Sequence, residues 1–150
     1  MARLSKIPVA FIELRLFAHA TEDPNKVIAA VKQIFPTVSS EEVEFRITNL
    51  KGHYGNPIIL YEAKIKEEKT IKDLIDSLFP RISALDKESL LREIGLHVEK
   101  RSLYLRLDKQ AAFHGDIELC TGDPIRVRIQ FKKRGPEDIL KACREFGMLP

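Results

Sequence analysis

From Val9 onward apolar and polar residues alternate with period two, so the chain begins as a β-strand. Ala10, Ile12, Leu14, Leu16 and Ala18 share one side; Glu13, Arg15 and His19 share the other, with Val9, Phe11 and Phe17 among them. Thr21-Glu-Asp-Pro24 then reads as a helix start, with Thr21 or Asp23 as the cap and Pro24 in the first turn, where its missing N–H costs nothing. Val27, Ile28, Val31, Ile34 and Phe35 form the stripe of that helix, and Pro36 ends it. Strand period returns at Val43, Phe45 and Ile47, and again at Ile59, Tyr61, Ala63 and Ile65. Between those runs lies Lys51-Gly-His-Tyr-Gly-Asn-Pro57, whose glycines, Asn and Pro make a turn, so the two strands form a hairpin. Ile71, Leu74, Ile75, Leu78 and Phe79 mark a second helix, stopped near Pro80. Asp86 is placed to cap a short third one carrying Leu90, Leu91 and Ile94, with Gly95 at its end.

The last third returns to strands. Leu103, Leu105 and Leu107 oppose Tyr104, Arg106 and Asp108. Ile117 and Leu119 mark a short strand, Gly122-Asp-Pro124 turns the chain, and Ile125, Val127, Ile129 and Phe131 alternate with Arg126, Arg128, Gln130 and Lys132. Gly135-Pro136-Glu-Asp138 starts a final helix. Hairpins and in/out alternation predict an α+β fold, a two-layer sandwich with a mainly antiparallel sheet and four helices on one face. Ile12, Leu14, Val43, Phe45, Tyr61, Leu105, Val127 and Ile129 are expected to face those helices. A length of 150 residues without linker, repeat or low-complexity segment fits one domain, residues 1–150.

Composition narrows the function classes. The two cysteines, Cys120 and Cys143, form no CxxC pair, which argues against a disulfide scaffold or zinc ribbon and for a reducing cytosol. No apolar run reaches membrane-spanning length, and the early apolar stretch is broken by Glu13 and Arg15. Four histidines, at positions 19, 53, 97 and 114, lie in no HxxxH or HExxH pattern, and no phosphate-loop, dinucleotide or nucleophile-elbow motif occurs. The expectation is therefore no metal, no cofactor and no enzyme. Asp108 and Asp116 are the pair that a metal-assisted phosphodiesterase would have to use.

The net charge of +3 permits a polyanionic partner only if basic residues gather on one face. Three places are candidates. The polar side of the strands carries Arg15, Arg46, Lys64, Arg106, Arg126, Arg128 and Lys132 with Tyr104, but also Glu13, Glu44, Glu62 and Asp108. It reads either as a phosphate-binding face or as a solvated face laced with ion pairs. The turn offers His53, Tyr54 and Asn56 for stacking and hydrogen bonding; otherwise its glycines serve geometry alone. The segment after Arg106 offers Lys109, Gln110 and His114 for phosphate and base edges, or is a packed connection through Ala111, Ala112 and Phe113.

Phe17-Ala-His-Ala-Thr-Glu-Asp23, Gly52-His-Tyr-Gly-Asn-Pro57 and Leu105-Arg-Leu-Asp-Lys-Gln-Ala-Ala112, in this order, resemble the archaeal group of predicted RNA-binding proteins, also described as predicted exosome-associated subunits. A sister family of uncharacterised archaeal proteins shares the Lys-Gln-Ala-Ala segment. The resemblance implies a fold similar to that of the ribosomal protein that holds the smallest ribosomal RNA. It also implies a noncatalytic RNA binder, an accessory to RNA processing or the exosome, with RNA as partner. The alternative is a protein-interaction or dimerisation module using an apolar open sheet face, with Val9, Phe11, Phe17 and Tyr104 as contacts.

Overall fold

The computed structural model describes residues 8–35, 45–132 and 135–149. The opening strand, β1 (Val9–Ala18), lies in the middle of a six-stranded sheet whose other members are β2 (Arg46–Lys51), β3 (Pro57–Ile65), β4 (Val98–Glu99), β5 (Ser102–Leu107) and β6 (Ile125–Phe131). The spatial order is β2-β3-β1-β6-β5-β4, and every pairing is antiparallel. Among the described residues six α-helices accompany them: α1 (Pro24–Ile34), α2 (Glu68–Leu78), α3 (Ala84–Arg92), α4 (Ile94–His97), α5 (Lys109–Phe113) and α6 (Pro136–Glu145). The two beyond the expected four, α4 and α5, have only 4 and 5 residues. The α+β class, with an open antiparallel sheet, is as the alternation predicts.

Register turns the pattern into rows. Ile65, Ile12, Ile129 and Leu103 stand side by side on the inner face, and Ala63, Leu14, Val127 and Leu105 form the next inner row. Between these rows the opposite face carries Lys64, Glu13, Arg128 and Tyr104, then Glu62, Arg15, Arg126 and Arg106. The inner rows are buried against the stripes of α1 (Val27, Ala30, Val31, Ile34), α2 (Ile71, Leu74, Ile75, Leu78) and α6 (Ile139, Ala142, Cys143). Burial pushes the Cys143 thiol up to about 12, so it behaves as a small apolar side chain. Phe131 and Phe146 stack with centroids 6.4 Å apart where α6 meets the sheet.

Several local expectations are corrected. β1 carries a bulge: Val9 pairs with Phe131 and Phe11 with Gln130, so Ala10 is the extra residue and Val9 turns inward, 3% exposed. Asp23 caps α1, accepting from the Asn25 N–H at 2.9 Å. For α3 the cap is Ser83, not Asp86; the Asp86 carboxylate instead accepts from the Leu119 N–H at 3.1 Å. Gly95 does not end a helix but lies inside α4, since α3 already stops at Arg92. The strand expected at Ile117–Leu119 shrinks to one bridge between Leu107 and Leu119. Asp108 leaves the sheet face and caps α5, accepting from the Ala111 N–H at 2.9 Å. Ile47 pairs with buried Tyr61 but is 59% exposed, because β2 is the edge strand. Val43, Glu44 and Pro36 lie outside the described residues.

Leu105 and Val127 are neighbours in an inner row and 1% and 2% exposed. Leu105→Ala should destabilise the protein by about 2–4 kcal/mol in denaturant melts. A loss under about 0.5 kcal/mol would mean that the side chain sits at the surface and that this register is wrong.

Candidate nucleic-acid interface

The outer face separates two kinds of arginine. Arg128 is held on all sides: Nη1 donates to Glu13 at 2.9 Å, Nε to the Ser102 hydroxyl at 3.0 Å and Nη2 to Gln130 at 3.1 Å. Its guanidinium also lies 5.6 Å from the Phe11 ring centre and 5.8 Å from that of Tyr104. The next row is different. Arg46, Glu62, Arg15, Arg126 and Arg106 stand opposite one another from β2 to β5. Glu62 reaches Arg15 only at 3.9 Å. Among the described residues no carboxylate forms an ion pair with Arg46, Arg106 or Arg126. Ion-pair lacing of a solvated face therefore holds for Arg128 and marginally for Arg15. An open groove of about 490 Å³ runs here, lined by Arg15, Arg106, Arg126, Tyr104, Glu99 and Leu96. Leu96 comes from α4 and Glu99 from β4, and neither stands out in the sequence because their elements are too short to show a period.

The β2–β3 turn lies at one end of the sheet, away from Arg46 at the start of β2. Gly55 has φ of +79°, and its N–H donates to the Gly52 carbonyl at 2.9 Å. A Cβ on Gly52 would meet the Ile58 side chain at 3.0 Å. Gly55 thus has a structural reason to be there, while the contact at Gly52 is with the flexible end of Ile58. The turn leaves His53, Tyr54 and Asn56 at the tip, with Tyr54 86% exposed and its ring 4.8 Å from that of His53, edge to face.

Lys109, Gln110 and His114 belong to or follow α5, and they part company. Gln110 and His114 are exposed. The Lys109 ammonium is turned in and donates to the Phe17 carbonyl, to both Glu22 carboxylate oxygens (3.1 and 3.3 Å) and to Asp123 at 2.8 Å. His19 Nε2 lies 3.0 Å from the other Asp123 oxygen, and the His19 N–H donates to Glu22 at 3.0 Å. His19, Glu22 and Asp123 bring three ligand-type side chains together, but the lysine ammonium already serves their carboxylates as the cation. Partial burial works against ionisation of Asp123. Hydrogen bonds from Lys109 and His19, and their charge, outweigh it and hold the carboxyl below its usual range. This clasp joins two of the motifs that carry the family resemblance. Lys109 lies 87 positions from Glu22, and His19 lies 104 from Asp123, so no local pattern announces the clasp as a whole.

The open α+β sheet thus carries a row of arginines on its outer face. The family model described as RNA binding matches residues 11–131, and the chain belongs to that family. RNA-binding protein PAB1135 of Pyrococcus abyssi is 36% identical over 146 residues, covering 94% of this chain and 95% of that protein. The uncharacterised protein MJ0213 of Methanocaldococcus jannaschii is 32% identical over 139 residues, 90% of this chain and 93% of the relative. Among solved structures, protein AF2318 of Archaeoglobus fulgidus superimposes with a TM-score of 0.77 at 28% identity, over 92% of this chain and 99% of the other.

The clasp makes a pH prediction. A carboxyl lowered by folding stabilises the protein fully above its unfolded pKa, and that contribution disappears as pH falls through the folded value. Asp123→Asn keeps the backbone, whose φ of +36° asparagine tolerates. The variant should melt below wild type at pH 7, and the difference should shrink in the acid range as pH falls through the lowered pKa of Asp123. A melting difference that stays constant down to the most acidic pH at which both proteins fold would show that Asp123 contributes no charge to the clasp.

Proposed function

We propose that this protein is a noncatalytic RNA-binding protein that holds the phosphate backbone on its open sheet face. The observation that carries this reading is the run of Arg15, Arg126 and Arg106, directly opposed on three adjacent strands. Like charges in such positions destabilise a sheet. Local rules are broken in this way mainly where function needs it. Phosphates laid along the row relieve the repulsion, and Tyr104, 37% exposed, offers a ring to an unpaired base. Arg46 extends the row, and Arg128 supports it from the neighbouring one.

The interaction-module alternative needs an apolar outer face. Val9 is inside, and Phe11 is covered by the Lys64 ammonium 4.2 Å from its ring centre and by Arg128. The face is cationic instead. Asp108, one of the two carboxylates a metal-assisted nuclease would use, is engaged as the α5 cap, which supports the noncatalytic reading. An accessory place in RNA processing or at the exosome rests on the family resemblance, and a cytoplasmic setting on the two unpaired cysteines. No helix among the described residues is long and apolar enough to cross a membrane.

Arg106→Gln/Arg126→Gln tests the proposal in two directions. Wild-type binding to a mixed single-stranded RNA pool should fall with salt at a log–log slope of about −2 to −3.5, as for roughly 3–5 phosphates, and the double variant should lose about 1.4 of that slope. The same variant, free of RNA, should melt at or above the wild-type temperature, because a repulsion has been removed. Equal affinity and slope in both proteins would sink the assignment to this face.

A further inference from the structure

A second groove, of about 500 Å³, opens between α1 and α5, away from the arginine row. Its size suits a small organic ligand. Val27 and Ala30 of α1 lie along its base, and the small side chain at position 30 keeps it hollow. Lys26, Gln110, Phe113 and His114 stand around it, and all four are exposed. Phe113 is 41% exposed, the one large apolar side chain of the α5 segment that the core does not take, whereas Ala111 and Ala112 are buried. Gln110 and Phe113 are three positions apart on a helix and so share a face. The carboxylates at the rim are in use: Asp23 caps α1 and Glu22 holds Lys109. Among the described residues Lys26 forms no ion pair and is the rim ammonium left to a ligand, beside the charged carboxylates of Asp23 and Glu22.

We infer that this groove is a second subsite for a single unpaired nucleotide, resting on the RNA-binding reading but separate from the sheet face. Its base stacks on Phe113, the Gln110 carboxamide pairs with the base edge by donating and accepting, and Lys26 holds the phosphate. A duplex cannot supply such a base without unstacking it. The groove therefore selects single-stranded RNA, which the arginine row alone does not.

The test uses the full chain and two probes. Isotope-labelled protein is titrated with adenosine 5′-monophosphate and followed by amide and side-chain NMR shifts. In parallel, Phe113→Ala and Phe113→Tyr are measured against a fluorescein-labelled single-stranded RNA and its blunt duplex. The nucleotide should shift Lys26, the Gln110 side-chain NH₂ and His114. Phe113→Ala should weaken single-strand binding about tenfold with the salt slope unchanged. The duplex should bind both proteins alike, and Phe113→Tyr should restore binding. Because Phe113 is partly exposed, circular dichroism melts of each variant confirm that it folds, and Gln110→Ala gives a second variant with no core role. No nucleotide shifts at these residues, or equal losses for single strand and duplex, would overturn the groove. If that happens while the arginine variant still loses its salt dependence, the sheet-face reading stands alone. Nucleotide shifts in the groove without RNA binding on the sheet would keep the subsite and remove the sheet-face reading.

Discussion

The register of β1 between β3 and β6 is the constraint on which the rest of the molecule depends. Side chains alternate strictly along a strand, so a slip of one residue exchanges a whole row for its neighbour. Here a slip of β1 would drive Glu13 and Arg15 under the helices and expose Ile12 and Leu14. Desolvating those charges is far costlier than any misfit at the strand ends, so the register has one solution. The same condition that builds the core assembles the cationic face, because rows of leucine and isoleucine on one side leave rows of arginine on the other. The bulge at Ala10 shows its local limit: one extra residue lets the strand return Val9 to the core without moving the rows beyond it.

Register fixes which residues share a row, and the Lys109 clasp ties together the ends of the strands that carry that row. Burying an ammonium is unfavourable unless its donors are met, and Lys109, with a side chain 11% exposed, meets Glu22, Asp123 and the Phe17 carbonyl. Phe17 follows Arg15 on β1, Lys109 follows Arg106 beyond β5, and Asp123 precedes Arg126 on the way into β6. Phe17, Lys109 and Asp123 are therefore each two or three residues from an arginine of the row. The arrangement gives the Lys109-Gln-Ala-Ala112 segment a structural reason: the lysine closes the clasp, the two alanines pack, and the glutamine is left facing out.

How much of this the sequence disclosed follows from the range of each interaction. The long strands β1, β3, β5 and β6 and the striped helices α1, α2 and α6 are legible because period two and period 3.6 repeat several times within them. α5 is not, since five residues containing two alanines make no stripe, and its cap Asp108 reads as the last polar position of a strand. β4 has two residues and carries no pattern at all. Of the candidate residues, the alternation places Arg46, Arg106, Arg126 and Arg128 on one face. It does not say that Arg15, Arg126 and Arg106 stand directly opposite one another, or that Arg128 finds Glu13 from 115 positions away. Lys109 stands out by its type, and only the folded chain shows its charge turned inward.

That division between engaged and unengaged cations bears on how the face meets a polyanion. A guanidinium carries five donors in a planar fork, and Arg128 already gives several of them to the protein. Among the described residues no carboxylate makes such claims on Arg106 and Arg126, and across adjacent strands their backbones are only about 5 Å apart. In the free protein the two charges raise each other's energy, moderated by water and salt. On the proposed reading, a phosphate bridging them would add an attraction to each guanidinium, and these attractions would offset the mutual repulsion. Ligand binding and folding would then be linked through one row of side chains, because a ligand on the row would stabilise the sheet that presents it. Arg128, braced by Glu13, Ser102 and Gln130, flanks that row.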